Sequence, residues 1–197
     1  IEKKKPDEYP SRLSALTSIS NCKDEKTIVL ATTGKTGREL YEIEDSDQNL
    51  YMVGSLGCIS SLGLGLALTK NDRKVIVIDG DGSILMHMGS MSTSAHYNPI
   101  NMLHILLDNT SHDSTGGQST VSNNVDFVSV AASCGYKNSI YVHNLNELES
   151  NIEKWKKKQG LTFLFLNIQK GSKKNLGRPQ ITPYQVKERL KKELSNE

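Results

Sequence analysis

Six short runs of β-branched and aliphatic residues recur along the chain, and stretches with helical character separate them. The runs are Thr27–Leu30, Tyr51–Val53, Val75–Ile78, Met102–Leu107, Ile140–Val142 and Thr162–Ile168. They are apolar continuously rather than alternately, which is the pattern of strands covered on both faces. Helices are predicted over Pro10–Ile19, Thr36–Ile43, Ile59–Thr69, Gly89–Tyr97, Asp126–Cys134 and Leu145–Lys157. Gly135 suits a helix C-terminus that needs a left-handed residue, and Asn144 suits an N-cap. The small residues Ser60, Ser61, Gly63 and Gly65 are expected to bring one helix close to the sheet. Strand–helix alternation of this kind predicts βαβ units. The expected fold is therefore α/β, a doubly wound, mostly parallel six-stranded sheet with helices on both faces.

A chain of 197 residues suits one domain with an appendage. The domain is expected over 1–169. Residues 170–197 lose periodicity through Pro183 and are read as a C-terminal extension ending in a short helix, Tyr184–Leu194. The first residue is Ile1, with neither Met nor a signal peptide, so the expectation is part of something longer.

A formal charge of +2 gives no reason to expect nucleic acid. The lysine runs Glu2–Lys5 and Lys154–Lys158 are read as solvated surface. Cys22, Cys58 and Cys134 are far apart and lack a C-x-x-C, so zinc, iron–sulfur and disulfide frameworks are not expected. Reduced thiols in a cytoplasmic protein are the expectation. The apolar stretch Leu62–Leu68 is too short to span a bilayer.

The chemistry is expected where two of the apolar runs end. Val75–Ile78 leads through Asp79 into Gly80-Asp81-Gly82-Ser83, and Met102–Leu107 leads into Asp108-Asn109. The intervening stretch 83–108 holds about one helix plus one strand, so both tips can return to the same sheet edge. An Asp and an Asn there can hold a hard divalent cation through oxygen. The glycines let a phosphate approach the backbone. Two other segments mislead. Gly34-Lys35-Thr36 resembles the end of a phosphate-binding loop, but that motif needs glycine where Val29 stands. Gly54-Ser55-Leu56-Gly57 lies between a strand and a helix but lacks the G-x-G start of a dinucleotide fingerprint.

In order and spacing, Gly54–Gly57, Gly80–Ser83 and Asn109 together resemble the diphosphate-binding domain of thiamine-diphosphate enzymes, over about residues 10–170. Thr32–Leu40, the loop His112–Gln118 and Leu176–Pro179 resemble the phosphonopyruvate decarboxylase family, with the sulfopyruvate decarboxylase β subunits close by. The resemblance implies thiamine diphosphate and Mg2+ as cofactors. Asp81, Asn109 and the Ser111 carbonyl would hold the metal, and Gly80, Gly82 and Ser83 would receive the diphosphate. Gly54, with Ser55 beside it, would accept from the aminopyrimidine, and Leu56 would be the wedge that bends the cofactor.

The resemblance also implies decarboxylation of a small-molecule 2-keto acid, phosphonopyruvate to phosphonoacetaldehyde and CO2. The glutamate that activates the cofactor would come from a pyrimidine-binding domain or an α subunit, leaving this chain inactive or nearly so alone. A homo-oligomer is expected. His112 is the candidate catalytic residue, able to move a proton or contact an anionic substrate; the alternative is a loop histidine bonded to a neighbour. Lys35 and Arg38 can bind the substrate's second anion or be ordinary surface charge. His87, His96, His104 and His143 are read as structural or exposed. A ferredoxin-dependent oxidoreductase subunit would need clustered cysteines. A non-catalytic domain would have no reason to keep Asp81 and Asn109.

Overall fold

A computed structural model describes residues 8–195, so the lysine-rich start Glu2–Lys5 lies outside the described residues. The elements in chain order are α1 (Arg12–Asn21), β1 (Thr27–Ala31), α2 (Lys35–Ile43), β2 (Asn49–Tyr51), α3 (Ile59–Thr69) and β3 (Lys74–Gly80). Then follow α4 (Asp81–Met86), α5 (Gly89–Tyr97), β4 (Met102–Asp108), β5 (Ser111–His112) and β6 (Gln118–Ser119). After a short 3-10 turn, Ser122–Asn124, come α6 (Phe127–Cys134), β7 (Asn138–Val142), α7 (Leu145–Lys158), β8 (Thr162–Asn167) and α8 (Pro183–Glu193).

Six strands form one parallel sheet in the order β2-β1-β3-β4-β8-β7. The chain leaves β1 for β2 on one side and returns to β3 on the other. Such a reversal opens a crevice at the carboxyl ends of the strands. Register places those ends together, with Ala31 opposite Ile78 and Gly80 opposite Leu107. Helices cover both faces, as the doubly wound reading requires. Leu16 of α1, Leu40 of α2 and Trp155 of α7 pack against Val29, Ile76 and Ile105. Leu64 of α3, Met91 of α5 and Phe127 of α6 pack against Leu30, Val77 and Phe163. Gly135 takes φ 106° at the end of α6, and the Asn144 side chain caps α7 by accepting from the Glu147 N–H.

Several local expectations change. Pairing with β1 ends at Tyr51, so β2 covers Asn49–Tyr51 rather than Tyr51–Val53, and Val53 is exposed. Only Ser60 and Gly63 of the small residues in α3 face inward; Ser61 and Gly65 are exposed. A separate helix, α4, begins at Asp81 and stops where His87 leaves helical geometry (φ −135°, ψ 42°). Lys156 is not simple surface charge, because its ammonium donates to the Cys22 carbonyl at 2.7 Å. His104 is fully buried between Asp79 and Tyr136. No helix among the described residues is long and apolar enough to cross a membrane.

Residues 170–195 pack onto the rest of the molecule. Leu176, Val186, Leu190 and Leu194 are buried, and α8 covers the β2 edge, where Arg189 pairs with Asp45. A full capping box at Thr182 and Gln185, followed by Pro183, starts α8.

Candidate active site

A cleft lies at the carboxyl ends of β1, β3 and β4. Its lining brings together Gly80, Asp81, Gly82, Ser83, Asn109, Ser111, His112, Leu56 and Lys35 from the residues singled out in the sequence. The turn Gly54–Gly57 runs from β2 toward α3 with φ of 68° at Gly54, 46° at Ser55 and 88° at Gly57. Gly54 and Ser55 are exposed and do not line the cleft; Leu56 does. Gly57 is tightly approached: a Cβ there would lie 2.9 Å from the Ser83 carbonyl oxygen and 3.0 Å from the His87 ring.

Ser83 joins three segments. Its hydroxyl bonds the Thr32 hydroxyl at 2.9 Å and accepts from the Gly57 N–H at 3.1 Å. This buried link fixes the end of β1, the glycine turn and α4 relative to one another. His112, on the β5–β6 hairpin, packs its ring on Gly82, where a Cβ would meet Cε1 at 2.6 Å. Above Gly80 a Cβ would meet nothing within 4 Å, so the backbone there is open to a ligand.

Asp81 is 3% exposed and accepts from the Thr120 hydroxyl. Burial raises its pKa above the usual carboxylate range. Asp108 lies close by, and burial followed by the Asp81 charge pushes it up to about 6. Ser122 donates to Asp108, and Thr120 contacts Ser122, so one hydroxyl chain backs both carboxyl groups. Asn109 accepts from the Ser111 N–H at 3.1 Å and donates to Asp113 at 2.6 Å. The Ser111 hydroxyl is buried without a protein partner.

These features fit a divalent cation bound with a diphosphate. A carboxylate, an amide oxygen and an orphaned hydroxyl share one cleft, and two buried carboxyl groups lack a neutralising charge. Oxygen donors of this kind suit Mg2+. The described residues hold no cluster of three or more His, Cys, Asp or Glu that could hold a metal ion.

Arg38 does not line the cleft. Its guanidinium donates to the carbonyls of Leu176 and Gly177 and so ties the C-terminal segment to α2. Replacing Arg38 with alanine is expected to speed proteolysis within 170–182 and to leave KM unchanged. A raised KM would return Arg38 to the site. Residues that carried no assigned role in the sequence also shape the site, among them Thr32, Arg12 and Asp113 in the cleft and Thr120 behind Asp81. Thr32 could have been found from its place at a strand's carboxyl end. Arg12 and Asp113 gave no local signal, since they meet across 101 positions.

Residues 33–165, two thirds of the chain, match the family model "Thiamine pyrophosphate enzyme, C-terminal TPP binding domain". The chain belongs to this family. It is 43% identical over 185 residues to a phosphonopyruvate decarboxylase of Streptomyces hygroscopicus, covering 94% of this chain and 46% of that protein. The chain thus spans about half the length of the phosphonopyruvate decarboxylases it matches. It is 42% identical over 146 residues to the sulfopyruvate decarboxylase β subunit of Methanocaldococcus jannaschii, covering 74% of this chain and 77% of that one. Among solved structures, benzoylformate decarboxylase from Polynucleobacter necessarius superimposes with a TM-score of 0.70 at 16% identity, over 87% of this chain and 36% of that one. That likeness concerns the fold.

Proposed function

We propose that this chain is the magnesium- and diphosphate-holding part of a thiamine-diphosphate-dependent decarboxylase acting on phosphonopyruvate. The observation that carries the reading is the convergence of Asp81, Asn109 and Ser111 in one cleft with the open backbone at Gly80. The Asp81 carboxylate, the Asn109 amide oxygen and the Ser111 carbonyl would hold Mg2+. Gly80, Gly82 and Ser83 would receive the diphosphate. The Gly54 carbonyl, with Ser55 beside it, would take the aminopyrimidine, and Leu56 would support the cofactor's bent shape. The bound cofactor supplies the electron sink for loss of CO2.

This chain's own side chains would then handle charge and protons. Lys35 lies in the cleft at the start of α2 and would meet the substrate's second anionic group. His112, held against Gly82, would contact the same anion or carry a proton on an imidazole nitrogen. Replacing Lys35 with methionine is expected to raise KM roughly 10-fold with little change in kcat, as loss of about 1.5 kcal/mol of charged hydrogen bonding would do. An unchanged KM would remove Lys35 from the substrate's path.

The activating glutamate would come from a pyrimidine-binding domain or an α subunit. Glu39 is the one buried glutamate among the described residues; it pairs with Arg12 and does not line the cleft. The exposed apolar residues Val53, Leu62, Leu68 and Met86 are available to such a partner or to a second copy. The chain alone is expected to release no CO2 from either keto acid. A second reading, sulfopyruvate as substrate, draws support from the 77% coverage of the β subunit. Assaying the completed protein with both keto acids separates the two. Turnover of neither would overturn the decarboxylase reading.

A further inference from the structure

The Asn109 side chain can present its oxygen to a cation only if its amide stays in one of two orientations. Two contacts select that orientation. The Ser111 N–H holds the oxygen end at 3.1 Å, and the Asp113 carboxylate holds the NH2 end at 2.6 Å. Turning the amide over would set its oxygen against a carboxylate and its NH2 against an N–H, so both ends would lose a partner.

Asp113 is itself held from two distant parts of the chain. The oxygen that meets Asn109 also accepts from Arg12 Nη2 at 2.7 Å and from the Gly171 N–H at 2.9 Å. Arg12 Nη1 donates back to the Gly171 carbonyl at 3.1 Å, which closes a ring of Arg12, Asp113 and Gly171. Arg12 and Asp113 are 6% and 11% exposed, so this ion pair is shielded from water and its geometry is well held. Glu39 Oε1 lies 3.7 Å from Arg12 Nη1. Arg12 and Gly171 both fall outside the 33–165 match to the cofactor-binding family.

We infer that Asp113 is a positioning residue for the metal. It locks the Asn109 amide, and the Arg12–Gly171 clasp holds Asp113 in place. The inference rests on the magnesium reading above. It adds that two segments outside the matched domain, the first turn of α1 and the irregular segment following β8, set the fit of the cation. Partners behind a ligand commonly alter metal affinity by about 10–100-fold when removed.

The test is calorimetric measurement of Mg2+ and Ca2+ affinity on the full protein, at a fixed excess of thiamine diphosphate, for the unaltered protein, D81A, D113A and D113N. Mg2+ requires near-octahedral geometry, whereas Ca2+ tolerates looser sites. D113A is therefore expected to weaken Mg2+ binding by about 10–100-fold and Ca2+ binding by much less. D113N keeps an acceptor for Asn109 and Gly171 and is expected to recover most of the loss. General destabilisation would weaken both cations alike and would not be rescued by Asn. That pattern, or D113A binding Mg2+ as the unaltered protein does while D81A does not, overturns the inference. If D113A does not fold, R12K carries the test, because one ammonium cannot bridge Asp113 and Gly171 as the guanidinium does. An unchanged preference for Mg2+ over Ca2+ in R12K then overturns it. Absence of any Mg2+ dependence in the unaltered protein overturns the metal reading itself, and this inference with it.

Discussion

Replacing Asp81 with alanine is expected to raise the apparent dissociation constant for thiamine diphosphate in the presence of magnesium by at least about 100-fold, a loss of about 2.7 kcal/mol. Asp81 is the carboxylate at the carboxyl end of β3 that faces the cleft; burial raises its pKa, and it accepts from the Thr120 hydroxyl. Asp113 cannot replace it, because the oxygen it turns toward Asn109 already accepts three hydrogen bonds. Without the carboxylate, the cation would keep only neutral oxygens from this chain. Unfolding does not account for the expected loss. Asp81→Ala also removes the charge that, after burial, holds Asp108 at about 6. The metal-free variant is therefore expected to melt no lower than the unaltered protein. A lower melting temperature matched by lost binding would point to damage to the fold instead.

Gly63→Val is expected to destabilise the protein by roughly 3 kcal/mol, the upper part of the range for overpacking a core. Gly63 lies in the middle of α3 on the face toward the sheet. A Cβ there would stand 2.2 Å from Val77 Cγ2 and 3.5 Å from Leu30 Cδ1. Both neighbours belong to fully buried central strands, so neither can move aside without disturbing its own packing. At about 2–4 °C per kcal/mol for a chain of this size, the melting temperature should fall by roughly 6–12 °C. Gly63→Ala should cost less, because alanine regains about 1 kcal/mol of helix propensity. Pairing Gly63→Ala with Val77→Ala should restore part of the loss, since the two side chains compete for one space. Denaturant unfolding of the unaltered protein, Gly63→Ala, Val77→Ala and the double variant measures this coupling, and a fully stable Gly63→Val variant would contradict the tight packing at Gly63.

The central strands were legible because burial on both faces demands continuous apolar runs, as in Val75–Ile78 and Met102–Leu107. Their carboxyl ends were legible too, because Gly80–Ser83 and Asn109 interrupt those runs with residues that cannot serve a core. β2 was harder: Val53 looks like a strand residue, yet the Met52 N–H makes the last bond to β1, at the Ala31 carbonyl, and Val53 is exposed. The hairpin of β5 and β6 is too short and polar to leave a periodic signal. The segment after β8 has no regular structure. It is held by contacts such as the Gly177 N–H and Lys173 ammonium on Glu42 and the Arg38 guanidinium on backbone carbonyls. Those partners lie more than 130 positions apart, so no local pattern encodes them. The same holds for Arg12. Its place in a first turn looks like surface charge until the fold brings Asp113 and Gly171 to it.

The most direct test of the account is a calorimetric titration of the protein with thiamine diphosphate, first with magnesium and then with a chelator. Saturable binding that requires magnesium and disappears in Asp81→Ala is the expected result. Binding of equal strength with the chelator present, or in Asp81→Ala, would contradict the assignment of this cleft as a magnesium–diphosphate site.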